Sequence, residues 1–187
     1  ITAIHPMLGN LVVHKSGQGR EIFRITTLDP DPATWTASMK KFHANTSALN
    51  HRCAVGVTDK TLFLDSRGFS MLTGSDTYDE IMVGAGGLML GTSLKDLDHD
   101  DAFFVVNPDE NYCMVFPRHQ ASAWIFHYGS GRWTQWIFTF GGNVTCGCYS
   151  DVAGTVLLGT STGHIYQLDP SVSTDDGTPF RSEVQTR

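Results

Sequence analysis

Long apolar runs, charge and cysteine are all scarce in this chain of 187 residues. No stretch approaches the ~20 apolar residues that a membrane-spanning helix requires. Charged side chains make up 17% and hydrophobic ones 41%. That excludes the charge-rich, core-poor composition of a disordered chain. Lys and Arg number 13 against 19 Asp and Glu, for a net charge of −6. Nothing in that balance resembles a basic nucleic-acid footprint. The four cysteines, Cys53, Cys113, Cys146 and Cys148, are too few for a secreted disulfide scaffold. Each lies in an apolar, strand-like context. The expectation is four reduced, buried thiols and assembly in a cytoplasm-like compartment.

Signatures of catalysis are missing as well. No Gly-x-Ser-x-Gly elbow occurs. The Gly-Ala-Gly-Gly segment at 84–87 is not the dinucleotide fingerprint, and no strong helix follows it. The eight histidines are His5, His14, His43, His51, His99, His119, His127 and His164. They are scattered, with no i, i+4 pair around a Glu, and read as turn, rim or core residues.

What the chain does have is glycine, 19 residues of it, and a recurring rhythm of short strand, tight turn, aromatic and short strand. Thr61–Leu72 and Gly154–Leu168 each read as strand, polar turn and strand. Between them come Tyr112–Phe116, Ala123–Tyr128, a Gly-Ser-Gly turn, and Arg132–Phe138. The rhythm returns roughly every 45–50 residues, as β-propeller blades do. A lone blade cannot bury both of its faces, so blades stack on one another. The fold class expected is therefore all-β: a β-propeller-like array of four-stranded antiparallel blades with short helical connections. About four blades are expected, at 1–27, 53–83, 102–140 and 144–187, or part of a larger propeller. The chain is read as one propeller domain or a piece of a longer one, since it starts on Ile1 and ends on Arg187 in a strand-like stretch.

The connections carry their own signals. The first blade looks partial, with strands near 1–5, 11–14 and 21–25. Asp31 and Pro32 suit a helix start, and Trp35, Met39 and Phe42 recur at helical spacing, so a short helix is expected there. The second blade is expected to hold strands at 53–57, 61–65, 68–72 and 78–83. Ser93 and Asp96 suggest a capping box. The fourth blade is expected to end on a weaker strand over 178–185, after a polar loop at 171–177.

Four constellations could carry chemistry. Asp96, Asp98, Asp100 and Asp101 form an acidic run that could hold a hard cation. It lacks the spacing and glycine of an EF-hand loop, so a solvated connection is the plainer reading, with Asp98, Asp100 and Asp101 as the weak metal candidates. Asp169 and the Asp-Asp-Gly at 175–177 read as turn chemistry. Cys146 and Cys148 share one face of a strand. Together with Cys53 and Cys113 they could be imagined as a zinc set, but without a C-x-x-C spacing they read as small core residues near a propeller axis. Trp124, Trp133 and Trp136 are candidates for stacking on a ligand. Trp133 and Trp136 must face opposite ways along a strand, so at least one belongs to a blade interface.

The ordered series is more specific than its parts. It runs through Phe63–Phe69, the Tyr-Cys-Met-Val-Phe-Pro strand at 112–117, Trp124–Tyr128, the Gly-Arg-Trp-Thr-Gln-Trp at 131–136, Gly159–Asp169 and Thr174–Phe180. In this order the chain resembles, from about Val55 to Arg187, the propeller region of short-tailed bacteriophage tail proteins known as nozzle, tail hub or tail tubular protein B. The resemblance implies a structural virion component assembled in the host cytoplasm. It implies self-association into a ring, typically of six, beneath the portal and adaptor, with fibre or spike proteins attached around it. DNA would pass through the channel without sequence-specific binding. No catalytic residue and no cofactor follow from it. Two alternatives stand beside it: a glycan- or peptide-binding propeller using the tryptophans, and a cation-dependent propeller hydrolase or lyase using Asp98 and Asp101.

Overall fold

Alternating strands and turns become sequential antiparallel hairpins in the computed structural model, which describes residues 1–7, 9–16, 19–26, 31–34, 39–44, 46–65, 68–73, 100–169, 171–172, 174–175 and 177–179. The architecture is all-β, built of antiparallel sheets of three or four strands with two 3-10 turns among the described residues. The chain divides into two compact units, Ile1–Phe104 and Val105–Arg187.

The N-terminal unit begins with four strands, β1 (Ala3–Met7), β2 (Asn10–Lys15), β3 (Glu21–Ile25) and β4 (Met39–Ala44), in the spatial order β1-β2-β3-β4. The strand period of two is plain in β1: Ala3, His5 and Met7 are buried while Ile4 and Pro6 are exposed. Three strands follow, β5 (Ala54–Val57), β6 (Lys60–Asp65) and β7 (Gly68–Thr73), again in sequential order. Ala3, Met7, Val12, Ile22, Ala48, Phe63 and Leu72 form one buried cluster drawn from both sheets and the 46–48 segment that joins them, with Ala54 packed against it. Each such side chain contributes about 1.5–3 kcal/mol when it is large and fully buried. Strand β1 packs against β5 so closely that a Cβ on Gly56 would lie 2.4 Å from the Pro6 carbonyl oxygen. Only glycine fits that position without moving the backbone.

Strand β8 (Phe103–Asn107) runs across the division into the C-terminal unit, which continues with β9 (Tyr112–Phe116), β10 (Ser122–His127) and β11 (Arg132–Ile137), in the order β11-β10-β9-β8. Burial falls outward across this sheet. Every residue of β9 is buried, whereas on β11 only Trp133 and Trp136 are half-buried and the other four residues are exposed. Gly131 closes the β10–β11 turn at φ 70°, donating its N–H to the His127 carbonyl at 2.8 Å. The next sheet holds β12 (Val144–Ser150), β13 (Thr155–Thr160) and β14 (Ile165–Gln167), and a small hairpin pairs β15 (Thr174–Asp175) with β16 (Thr178–Pro179). Rings of Phe116, Phe138, Phe140 and Tyr166 stack in succession, with centroids 6.4, 5.0 and 4.2 Å apart and planes within 20°.

Several expectations change. The first sheet is complete, because Met39–Ala44 is a strand on the free edge of β3 and not part of a helix. Asp31 does cap, accepting the Ala33 N–H at 2.9 Å, but the structure it starts is a 3-10 turn over Pro32–Thr34. A short isolated helix is marginal, whereas an open sheet edge offers a row of unused backbone donors and acceptors. A second 3-10 turn, His51–Cys53, is capped by Asn50, whose side chain accepts the Arg52 N–H. Of the outgoing strand expected over 178–185, Thr178–Pro179 is a strand that pairs with Thr174–Asp175, a stretch expected to be loop, and 180–185 lie outside the described residues. Residues 78–83, 84–87 and 93–99, on which further strand, loop and cap expectations fall, lie outside the described residues, as does Trp35.

Candidate functional site

The tryptophan candidates separate by face. The β10–β11 register pairs Trp124 with Gln135, Phe126 with Trp133, and Ala123 with Trp136. Trp124 and Trp133 therefore lie diagonally on one face, and Trp136 lies on the other. All three are half-buried. Trp133 packs on the buried Phe126 ring at 4.8 Å, and Trp136 meets the edge of Tyr112 at 5.4 Å. Both faces of this sheet thus use a tryptophan to shield an inner aromatic.

The acidic run contributes less. Asp98 lies outside the described residues. Asp100 is exposed and Asp101 half-buried, and the Asp100 backbone carbonyl accepts the Arg52 guanidinium at 2.6 Å. Among the described residues no group of three or more His, Cys, Asp or Glu side chains converges as a metal set. Asp169 behaves as turn chemistry, its carboxylate accepting the N–H and hydroxyl of Ser171 at 2.8 and 2.6 Å. Those bonds hold its carboxyl below the usual carboxylate range.

The cysteines split two and two, which corrects the expectation of four buried thiols. Cys53 and Cys113 are buried, while Cys146 and Cys148 are exposed on β12. Burial pushes the Cys53 thiol up to about 11 and raises Cys113 further still. On β12 it is Gly147 that faces inward, where a Cβ would come within 2.8 Å of Val105 and 2.9 Å of Leu158. The two flanking cysteines must then point outward. The Cys146 sulfur fills the space above Gly159, 2.6 Å from where that residue's Cβ would stand.

A polar cluster that sequence reasoning passed over lies inside the N-terminal unit. His5 and His14 are 6% and 0% exposed, and their ring centroids are 5.2 Å apart. The Ala48 N–H donates to His14 Nδ1 at 3.1 Å, which places the His14 proton on Nε2. Thr61 Oγ1 donates to the Met7 sulfur at 3.1 Å and lies 2.9 Å from His5 Nε2. The hydroxyl bonds His5 Nε2 in either ring tautomer, as acceptor from an Nε2–H or as donor to a bare Nε2. That leaves His5 Nδ1 and His14 Nε2 buried without a hydrogen-bond partner among the described residues. Burial lowers His5 to about 4, and burial together with the neighbouring His5 lowers His14 to about 3. Both rings are neutral at pH 7. The available sequence signal was the buried side of β1's alternation, which holds Ala3, His5 and Met7.

No protein-family model matches this chain, and no curated protein matches it. Among solved structures it is similar to a structural-genomics protein of unknown function from Bacteroides thetaiotaomicron, at 8% identity and a TM-score of 0.50. The likeness covers 87% of this chain and 39% of that one, so the chain spans well under half the length of the structure it matches. At this identity the likeness concerns the fold alone. No helix among the described residues is long and apolar enough to cross a membrane.

Proposed function

We propose that this chain is a structural, non-enzymatic module of a short bacteriophage tail, a propeller-like part of the nozzle or hub ring around the DNA-ejection conduit. The observation that carries the reading is the repeated meander: two four-stranded sheets in strictly sequential order, the second with burial falling from its inner strands to its outermost one. Propeller blades are built this way. The ordered series of motifs from Val55 onward supports the same family. A net charge of −6 suits a conduit wall that repels phosphates, so that DNA slides without sticking. In this reading the sheets close about an axis, copies assemble into a ring, and portal–adaptor and fibre or spike proteins dock around it.

The test is electron microscopy of the parent virion with an antibody against this chain. Labelling confined to the tail supports the proposal, and labelling of the capsid shell or of no virion at all removes it. A second reading, a glycan-binding module, is favoured by Trp124 and Trp133 sharing one half-exposed face. Reproducible glycan binding that is lost in Trp124→Ala and kept in Trp136→Ala would select it.

A further inference from the structure

We propose that the His5–His14 pair is an acid-sensitive latch, and that protonating the two rings frees strand β1 and the 46–48 segment from the core of the N-terminal unit. The two rings hold different pieces of the unit together. His5 ties β1 to β6 through Thr61, and His14 ties β2 to the 46–48 segment through the Ala48 N–H. A second proton can reach His14 only at Nδ1, where it would oppose the Ala48 N–H, donor against donor. Once doubly protonated, His5 carries an Nδ1–H that has no acceptor among the described residues. Both charges would then lie in a site closed by Phe63, whose ring centroid is 5.1 Å from that of His14. Strand β1 is the element placed to yield, since it stands at the edge of its sheet.

Other ionisable groups stand on the elements that carry the pair and on their neighbours among the described residues. On β6 the buried Asp65 carboxylate accepts the Thr46 hydroxyl and, at 3.1 Å, the Gly68 N–H. Cys53, just before β5, is buried and neutral. Lys15, Glu21 and Lys41 form an ion cluster with both lysines about half exposed, and His43 stands opposite Ile22 in the β3–β4 register. Asp65 is the group whose own protonation could mimic the latch, so it needs a separate control.

The sign follows from the lowered histidine values. The opened state binds protons with an ordinary histidine value near 6.5, and the closed state only near 4 and 3. Closure is fully favoured above about pH 6.5, weakens as pH falls from there, and loses nothing more below about pH 3. With two protons taken up, the opening constant rises roughly 50-fold between pH 6 and pH 5.

Amide hydrogen exchange on the intact chain, corrected for intrinsic rates, tests this at Ala48 and along β1, with β9 as internal reference. The expected result is a two-proton slope at Ala48 and β1 and a flat response at β9. His14→Asn, which keeps an acceptor for Ala48, reduces the slope to one proton. His5→Gln with His14→Asn abolishes it, and Asp65→Asn leaves it at two. A slope at Ala48 no steeper than at β9, or a two-proton slope surviving in the double variant, overturns the proposal. Should the variants fail to fold, histidine ring resonances of the unsubstituted chain decide: titration of His5 and His14 near 6.5 refutes the latch, and titration below 5 supports it.

Discussion

Sheets β1–β4 and β8–β11 share a sequential strand order but fill their interiors with different chemistry. Across β8–β11 the buried side chains include Phe103, Val105, Met114, Phe116, Ile125 and Phe126, and the set is apolar but for one neutral pair, the Asn107 amide donating to the Tyr112 hydroxyl at 3.2 Å. The first sheet places His5 and His14 among its buried residues and meets Thr61 from the neighbouring sheet. Apolar burial is non-directional and indifferent to pH, so it tolerates small displacements. A buried polar pair fixes position through hydrogen bonds and makes stability depend on protonation. One sheet is therefore held by area and stacking, and the other partly by register-specific bonds that acid can break.

The contrast can be broken most severely at the apolar end. Phe126→Ala removes a fully buried ring that also supports Trp133. It should cost about 3–5 kcal/mol in denaturant unfolding, with lost exchange protection centred on β9 and β10. Gly56→Ala is the counterpart in the N-terminal unit. Its Cβ would press on the Pro6 carbonyl, so about 2 kcal/mol of destabilisation is expected. Gly141→Ala, which meets nothing within 4 Å, should change stability by less than about 0.5 kcal/mol. Thr61→Val keeps the shape of the side chain but strands His5 Nε2, for an expected loss of about 1–2 kcal/mol confined to β1 and its contacts. The smallest effect on stability is a chemical one. At pH 8 a thiol reagent should modify two cysteines per native chain, Cys146 and Cys148, and all four only after unfolding. Modification of Cys53 in the native chain would show that the N-terminal unit opens more readily than its packing implies.

Much of the fold is legible in the residues. Strands at Thr61–Asp65, Tyr112–Phe116 and Thr155–Thr160 announce themselves by apolar and β-branched content between glycine or polar turns, and the structure places strands there. Strand β4 was not legible. Met39 and Phe42 fit a helical period as well as a strand, and the choice was made by the open edge of β3 across from them. The candidate residues divide the same way. Opposite facing of Trp133 and Trp136 follows from strand period alone. The outward thiols of β12 depend on Val105 and Leu158 filling the space beneath Gly147.

The sequence by itself determined an all-β chain of short antiparallel strands and the turns between them, because side-chain alternation and glycine turn geometry are local properties. Only the tertiary structure decided which histidines lose water, which cysteines keep it, and where the fourth strand of the first sheet comes from. Each of those depends on the surface that arrives opposite a residue, and no local pattern encodes that surface.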